Sequence, residues 1–236
     1  MATPLIRRAL LLGSILGLGL TCLLAPGSSE AGPPTDMLRA VFGDANKILT
    51  DPTTEERPAE RIAAIRILFS RIFDFRDAAE RALGPQWKTR TSAEQNEFTR
   101  LFADFVQRGF VYWLASVAEV DSRGSGVTVA FLSESLERDV AKVPATILSR
   151  GGRTIQITYD VAYRSRRWVV RDITIEGVSL VGSYRAQFDR VIRASSYPEL
   201  VVRMRARVNE SPFPSSVDPA APAAALPARG IHIETR

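Results

Sequence analysis

Apolar residues change their spacing partway along this 236-residue chain, and that change limits what it can fold into. From Leu38 to Leu114 they recur at intervals of three and four; from Val127 to Ile175 they alternate. The first spacing gathers side chains on one stripe of a helix, the second on one face of a strand. Helices followed by consecutive strands predict an α+β fold, with a curved antiparallel sheet whose apolar face is covered by helices.

The helical half divides at clear signals. Leu38, Val41, Phe42, Ala45, Ile48 and Leu49 form one stripe. Pro58 suits the first turn of a second helix, which carries Ile62, Ile65, Leu68, Phe69 and Ile72 on one side. Asp74 is placed to cap a short helix that stops at Gly84-Pro85. Thr91 and Glu94 have capping-box spacing. The helix they open carries Phe98, Leu101, Phe102, Phe105, Val106, Phe110, Trp113 and Leu114, a wide and aromatic face suited to a core or to the wall of a cavity.

In the second half Val127, Val129 and Phe131 alternate, as do Val143, Ala145 and Ile147. Within TIQITYDVAYR, Ile155, Ile157, Tyr159, Val161 and Tyr163 share a face. Arg150-Gly151-Gly152-Arg153 predicts a hairpin before that strand, and residues 164–167 a turn after it. In the next strand the apolar phase slips from Trp168 and Val170 to Ile173 and Ile175, which predicts a bulge or sharp twist near Asp172. After Gly177 a helix carries Tyr184, Phe188, Val191 and Ile192, and Pro198 opens a last one with Leu200, Met204 and Val208.

The two ends read differently from the middle. Arg7 and Arg8 precede an apolar run from Ala9 to Leu24, and Ser29-Glu30-Ala31 offers a small-residue cleavage site. This is the layout of a secretory signal peptide over residues 1–31, and the run is shorter than the roughly 20 residues of a membrane anchor. Cys22, the one cysteine, lies inside it with Thr21 and Gly19 where lipid attachment favours a small residue and a leucine, so the expected mature chain carries no thiol. Residues 209–236 are rich in Pro, Ala and Ser without helical period and read as a disordered tail. One domain is left, residues 32–208.

Composition and motifs exclude several chemistries. The formal charge is +5, a mild excess, and no run of basic residues interleaves with aromatics, so nucleic acid is not an expected partner. His232, the one histidine, lies in the tail, which removes a Ser-His-Asp arrangement and a histidine metal site from the domain. There is no phosphate-cradling glycine loop and no GxSxG elbow. Asp172 and Glu176 are the available carboxylate pair, and Tyr184 the available phenol; strand-end pairing and helix packing are the simpler roles for them. No catalytic residue, metal site or cofactor is expected.

Two blocks carry a resemblance. IFDFRDAAERALGPQW continues through TSAEQNEFTRLFADF, and RRWVVRDITIEGVSLVGSYRAQF follows later; together they resemble the MlaC family, also called the toluene-tolerance family, of periplasmic lipid-binding components. Asp74, Phe75, Leu83, Gly84, Trp87, Gln95, Phe98, Trp168, Asp172, Glu176, Gly177, Val178, Ser179, Tyr184, Arg185 and Phe188 match the family pattern. Phe110 stands where tyrosine is common, and Ala194-Ser195-Ser196 replaces a glycine-containing turn.

The resemblance implies a strongly curved sheet and helices enclosing an apolar lipid pocket. It implies a periplasmic carrier, without enzymatic activity, that holds phospholipid acyl chains and shuttles lipid. Its expected partners are an outer-membrane lipoprotein complex and an inner-membrane ABC transporter complex with a lipid-binding ring subunit. Carriage of a hopanoid or another hydrophobic molecule, and a small α+β enzyme on a cone-shaped sheet, are the alternatives. Expected pocket residues are Phe102, Phe105, Val129, Phe131, Ile157, Tyr159, Trp168, Val170, Val178, Leu180, Tyr184 and Phe188. Arg185 is placed either to meet a phosphate head group or to pair with Asp172 or Glu176.

Overall fold

The structure is a computed structural model that describes residues 33–54, 56–117, 128–148, 152 and 154–209, with the backbone alone at 111–117 and 209. The expected leader at 1–31 with Cys22, the side chains of Trp113 and Leu114, Val127, Arg150, Gly151, Arg153, His232 and the expected tail from 210 onward lie outside the described residues.

Local signals set the helices. Helix α1 spans Pro33–Leu49 and α2 spans Pro58–Ile72, opening on its proline. Helix α3 spans Phe75–Leu83; the Asp74 carboxylate accepts from the Asp77 amide at 3.0 Å. It stops at Gly84, whose φ of 60° lies where a side chain is strained. Helix α4 spans Ser92–Val117 behind a reciprocal cap: the Thr91 amide donates to Glu94 at 2.7 Å, and the Glu94 amide to the Thr91 hydroxyl at 3.3 Å. Helices α5, Leu180–Ala194, and α6, Tyr197–Asn209, close the described chain. Among the described residues no helix is long and apolar enough to cross a membrane.

The strands are β1 (Thr128–Phe131), β2 (Ser135–Glu137), β3 (Val140–Leu148), β4 (Thr154–Arg164), β5 (Arg167–Ile175) and β6 (Val178–Ser179). All pair antiparallel in the order β1-β3-β4-β5-β6, with β2 also on β3, and the sheet does not close. Two elements were not foreseen. Strand β2 is too short to show a period, and β6 intervenes before α5 because Glu176 and Gly177, at φ 49° and 81°, make a two-residue hairpin turn.

The phase slip in β5 is a bulge. Asp160 pairs with Asp172 and Val161 with Val170, so Arg171 is the extra residue. It keeps Trp168 and Val170 on the same face as Ile173 and Ile175. The bulge also anchors helices. Arg171 donates twice to Asp77 of α3, at 2.9 and 3.1 Å, and Arg81 donates to the Arg171 carbonyl. Asp172 turns to the start of α5 instead.

The core lies between the inner face of the sheet and the helices. Val143, Ala145, Ile147, Ile157, Tyr159, Val161, Ile173 and Ile175 are buried there together with Leu38, Ile65, Phe69, Phe98 and Phe188. Tyr163, expected on this face, is 42% exposed because it lies at the sheet's end. The described residues are thus an α+β fold of six helices and a six-stranded antiparallel sheet.

Candidate functional site

A cavity lies between α1, α2 and the inner face of the sheet. Leu38, Val41, Phe42 and Ala45 of α1 form one wall, and Ile65, Leu68, Phe69 and Ile72 of α2 the other. Phe110 of α4 closes one side, and Tyr159, Val170 and Ile173 make the floor. Both helices reach it through residues three or four apart, which share a stripe. The slit has about 30 Å³ open to the centre of a water-sized sphere. A water there would meet only carbon, so the space suits apolar matter.

Aromatic rings prop the walls. Phe42 meets Phe131 at 5.8 Å and Tyr159 at 6.0 Å, both edge to face. Phe69 stacks on Phe110 at 4.2 Å and on Phe73 at 5.0 Å. Polar contacts hold the rim. Arg66 of α2 donates to Asp104 of α4 at 3.1 Å. The Glu134 carboxylate, in the β1–β2 connection, accepts from the amide and hydroxyl of the buried Thr35, fixing the start of α1.

The candidate pocket residues divide among several places. Tyr159 and Val170 line the cavity floor, and Phe131 braces Phe42 beside it. Val129 is half-buried on β1, and Ile157 is buried in the core. Phe102, Phe105, Tyr184 and Phe188 form an aromatic cluster between α4 and α5; Tyr184 meets the other three at 5.4, 6.4 and 5.7 Å. Leu180 is buried in the first turn of α5. Trp168 lies against Tyr163 at 5.3 Å near the sheet's end. Val178 is 44% exposed on β6, outside the cavity.

Arg185 is exposed beside Gly84, where a Cβ would come within 3.2 Å of its Nε. With Arg190 and Arg193 it lines a hollow on α5 that shares no residue with the apolar cavity.

The carboxylates are occupied by the fold. Asp172 is buried and accepts from the amides of Ile173 and Val181, at 2.8 and 3.0 Å, and from the Ser179 hydroxyl at 2.5 Å. Glu176 accepts from the Gln156 amide at 2.6 Å. Burial pushes the phenols of Tyr159 and Tyr184 above their ordinary value, so neither gives up its proton at neutral pH. Among the described residues no group of three His, Cys, Asp or Glu side chains is placed to hold a metal.

Ten of the twelve lining residues were absent from the expected pocket. Eight of them were visible as the stripes of α1 and α2, the same signal that any core-facing helix gives.

Comparison with known proteins agrees with this architecture. The chain is similar in structure to the phospholipid-binding protein from Ralstonia solanacearum, solved in complex with a phospholipid. The TM-score is 0.63 at 20% identity, over 76% of this chain and 100% of that one, a likeness of fold. No curated protein matches. The profile of the MlaC protein family matches residues 39–206, which hold eleven of the twelve lining residues, and the chain belongs to the MlaC family.

Proposed function

We propose that this chain binds the acyl part of a phospholipid in the cavity beneath α1 and α2 and carries it across the periplasm. The observation that carries the reading is the uninterrupted apolar lining of a cavity between two helices and a sheet. Membership of the MlaC family, and a fold shared with a protein solved with a phospholipid, support the same ligand class. Burial of one methylene gains about 0.8 kcal/mol, so an acyl tail supplies ample affinity without any chemistry.

The slit is far narrower than a lipid tail, so loading requires a wall to move. Helix α1 is the wall we infer to move. Apolar contacts plus the Glu134–Thr35 bonds hold it to the sheet side. Parting α1 and α2 from the floor lengthens the cavity without unpairing the sheet. The saturated carboxylate of Asp172 and the buried phenols favour holding over turnover. The signal-peptide layout of residues 1–31 favours export to the periplasm, and the family resemblance favours a carrier there between an outer-membrane lipoprotein complex and an inner-membrane ABC transporter complex with its ring subunit.

Native mass spectrometry of the purified protein tests the reading. Co-purifying phospholipid, released to acceptor vesicles carrying the transporter, is the expected result. Protein that stays lipid-free after incubation with phospholipid vesicles overturns it.

A further inference from the structure

Two hairpin turns lie side by side at one end of the sheet. β2 turns into β3 through Arg138 and Asp139, and β4 into β5 through Ser165 and Arg166. The Tyr163 amide donates to the Asp139 carbonyl at 2.7 Å and joins the two tips. Arg138, Ser165 and Arg166 have φ of 53°, 47° and 64°, so at both tips an arginine occupies a conformation that glycine adopts with less strain.

These tips combine two features. Arg138, Arg164, Arg166 and Arg167 are all exposed, and none forms an ion pair among the described residues; the carboxylates at these tips are Asp139 in the first turn and Glu137 at the end of β2. Arg167 donates to the Arg71 carbonyl at the end of α2 at 2.9 Å, which brings a further exposed arginine alongside. Amid this charge Tyr163 is 42% exposed and stacks obliquely on the half-buried Trp168, while Leu136 is 51% exposed. Trp168 shares a face with Val170, a floor residue of the cavity two positions on. An apolar strip therefore runs from the cavity floor to an arginine-rimmed end.

We propose that this end of the sheet docks on the surface of an anionic phospholipid bilayer. Guanidinium groups match phosphate oxygens in pairs, and tyrosine and tryptophan favour the boundary where one end of the ring is apolar and the other wet. Projecting hairpin tips suit a planar, yielding lipid surface. A docked chain has its apolar strip at the head-group boundary and its cavity behind it. The surface deepens the lipid-carrier reading, and its docking is measured apart from loading.

Vesicle flotation tests it. The purified chain is expected to float with vesicles of phosphatidylglycerol and phosphatidylethanolamine at low salt. It should come off at high salt, and it should stay unbound with phosphatidylcholine vesicles. These comparisons need no substitution. Arg138→Glu with Arg166→Glu reverses two exposed charges and should weaken flotation at least about tenfold. Leu136→Ser should weaken it while leaving the salt dependence in place. Both variants should retain the phospholipid that the wild type carries. Absence of wild-type flotation on anionic vesicles, as an acidic protein partner for this surface would give, overturns the proposal. So does flotation of the folded double variant equal to the wild type. Flotation of a wild-type chain that holds no lipid supports docking while sinking the carrier reading.

Discussion

The carboxylate of Asp172 accepts the amide of Val181 at 3.0 Å and so ties the bulge of β5 to the first turn of α5. Amides in a first helical turn lack intrahelical partners and carry the positive end of the helix dipole, which suits a buried negative acceptor. Asp172→Ala leaves two amides and a hydroxyl without it and is expected to cost about 3 kcal/mol in denaturant unfolding. Asp172→Asn keeps one acceptor oxygen and should lose roughly half as much. Loss of a chemical reaction in Asp172→Asn, with stability and lipid intact, would contradict the structural role.

Adjacent residues on α2 separate the cavity from the surface. Leu68 lines the slit, whereas Ile67 is 54% exposed. Leu68→Asp places a carboxylate among carbon atoms and should abolish lipid retention, because burying it unpaired is costly. Ile67→Asp adds the same charge in water and should keep wild-type lipid. Lipid per protein, measured by mass spectrometry on folded variants, decides between them.

Tyr184 packs through its ring. It meets Phe102 at 5.4 Å and Phe188 at 5.7 Å between α4 and α5. Tyr184→Phe should match the wild type in melting and lipid content. Tyr184→Ala empties a ring-sized space and should destabilise by about 3–5 kcal/mol. Equal effects of the two changes would point to the hydroxyl instead.

The cap of α4 predicts a pH effect. Hydrogen bonds from the Thr91 amide and hydroxyl hold the Glu94 carboxyl below its ordinary value of 4.5. The unfolded chain takes up this proton more readily than the folded one. The contribution is therefore present above the ordinary value and is lost as pH falls through the lower folded one. Glu94→Gln should leave a shallower decline in melting temperature below about pH 4.5.

Glu134 holds the start of α1 through Thr35. Replacing it by alanine removes the acceptor of both Thr35 bonds and should loosen α1 at a cost of about 1–3 kcal/mol. Exchange of bound lipid with vesicles should accelerate. Unchanged exchange would show that α1 does not gate the cavity.

Much of this protein followed from local chemistry. The stripes of α1 and α2, the Asp74 cap, the Thr91–Glu94 box and the bulge at Arg171 all involve residues within a few positions of one another. A helix period, a cap spacing and a slip in strand phase are properties of such short stretches, so residue order alone determined them. What the tertiary structure decided is where the stripes point and what they meet. A stripe marks a face that avoids water; whether it reaches atoms or a gap depends on the separation of packed elements, which no local period encodes. Hence Leu68 and Ala45, legible in the sequence only as members of helix stripes, line a cavity, while Tyr184 and Phe188, expected in the pocket, pack together in a cluster between α4 and α5. Asp172 shows the same limit: its partners are mainly backbone amides, which every residue but proline supplies, so only the fold could select them.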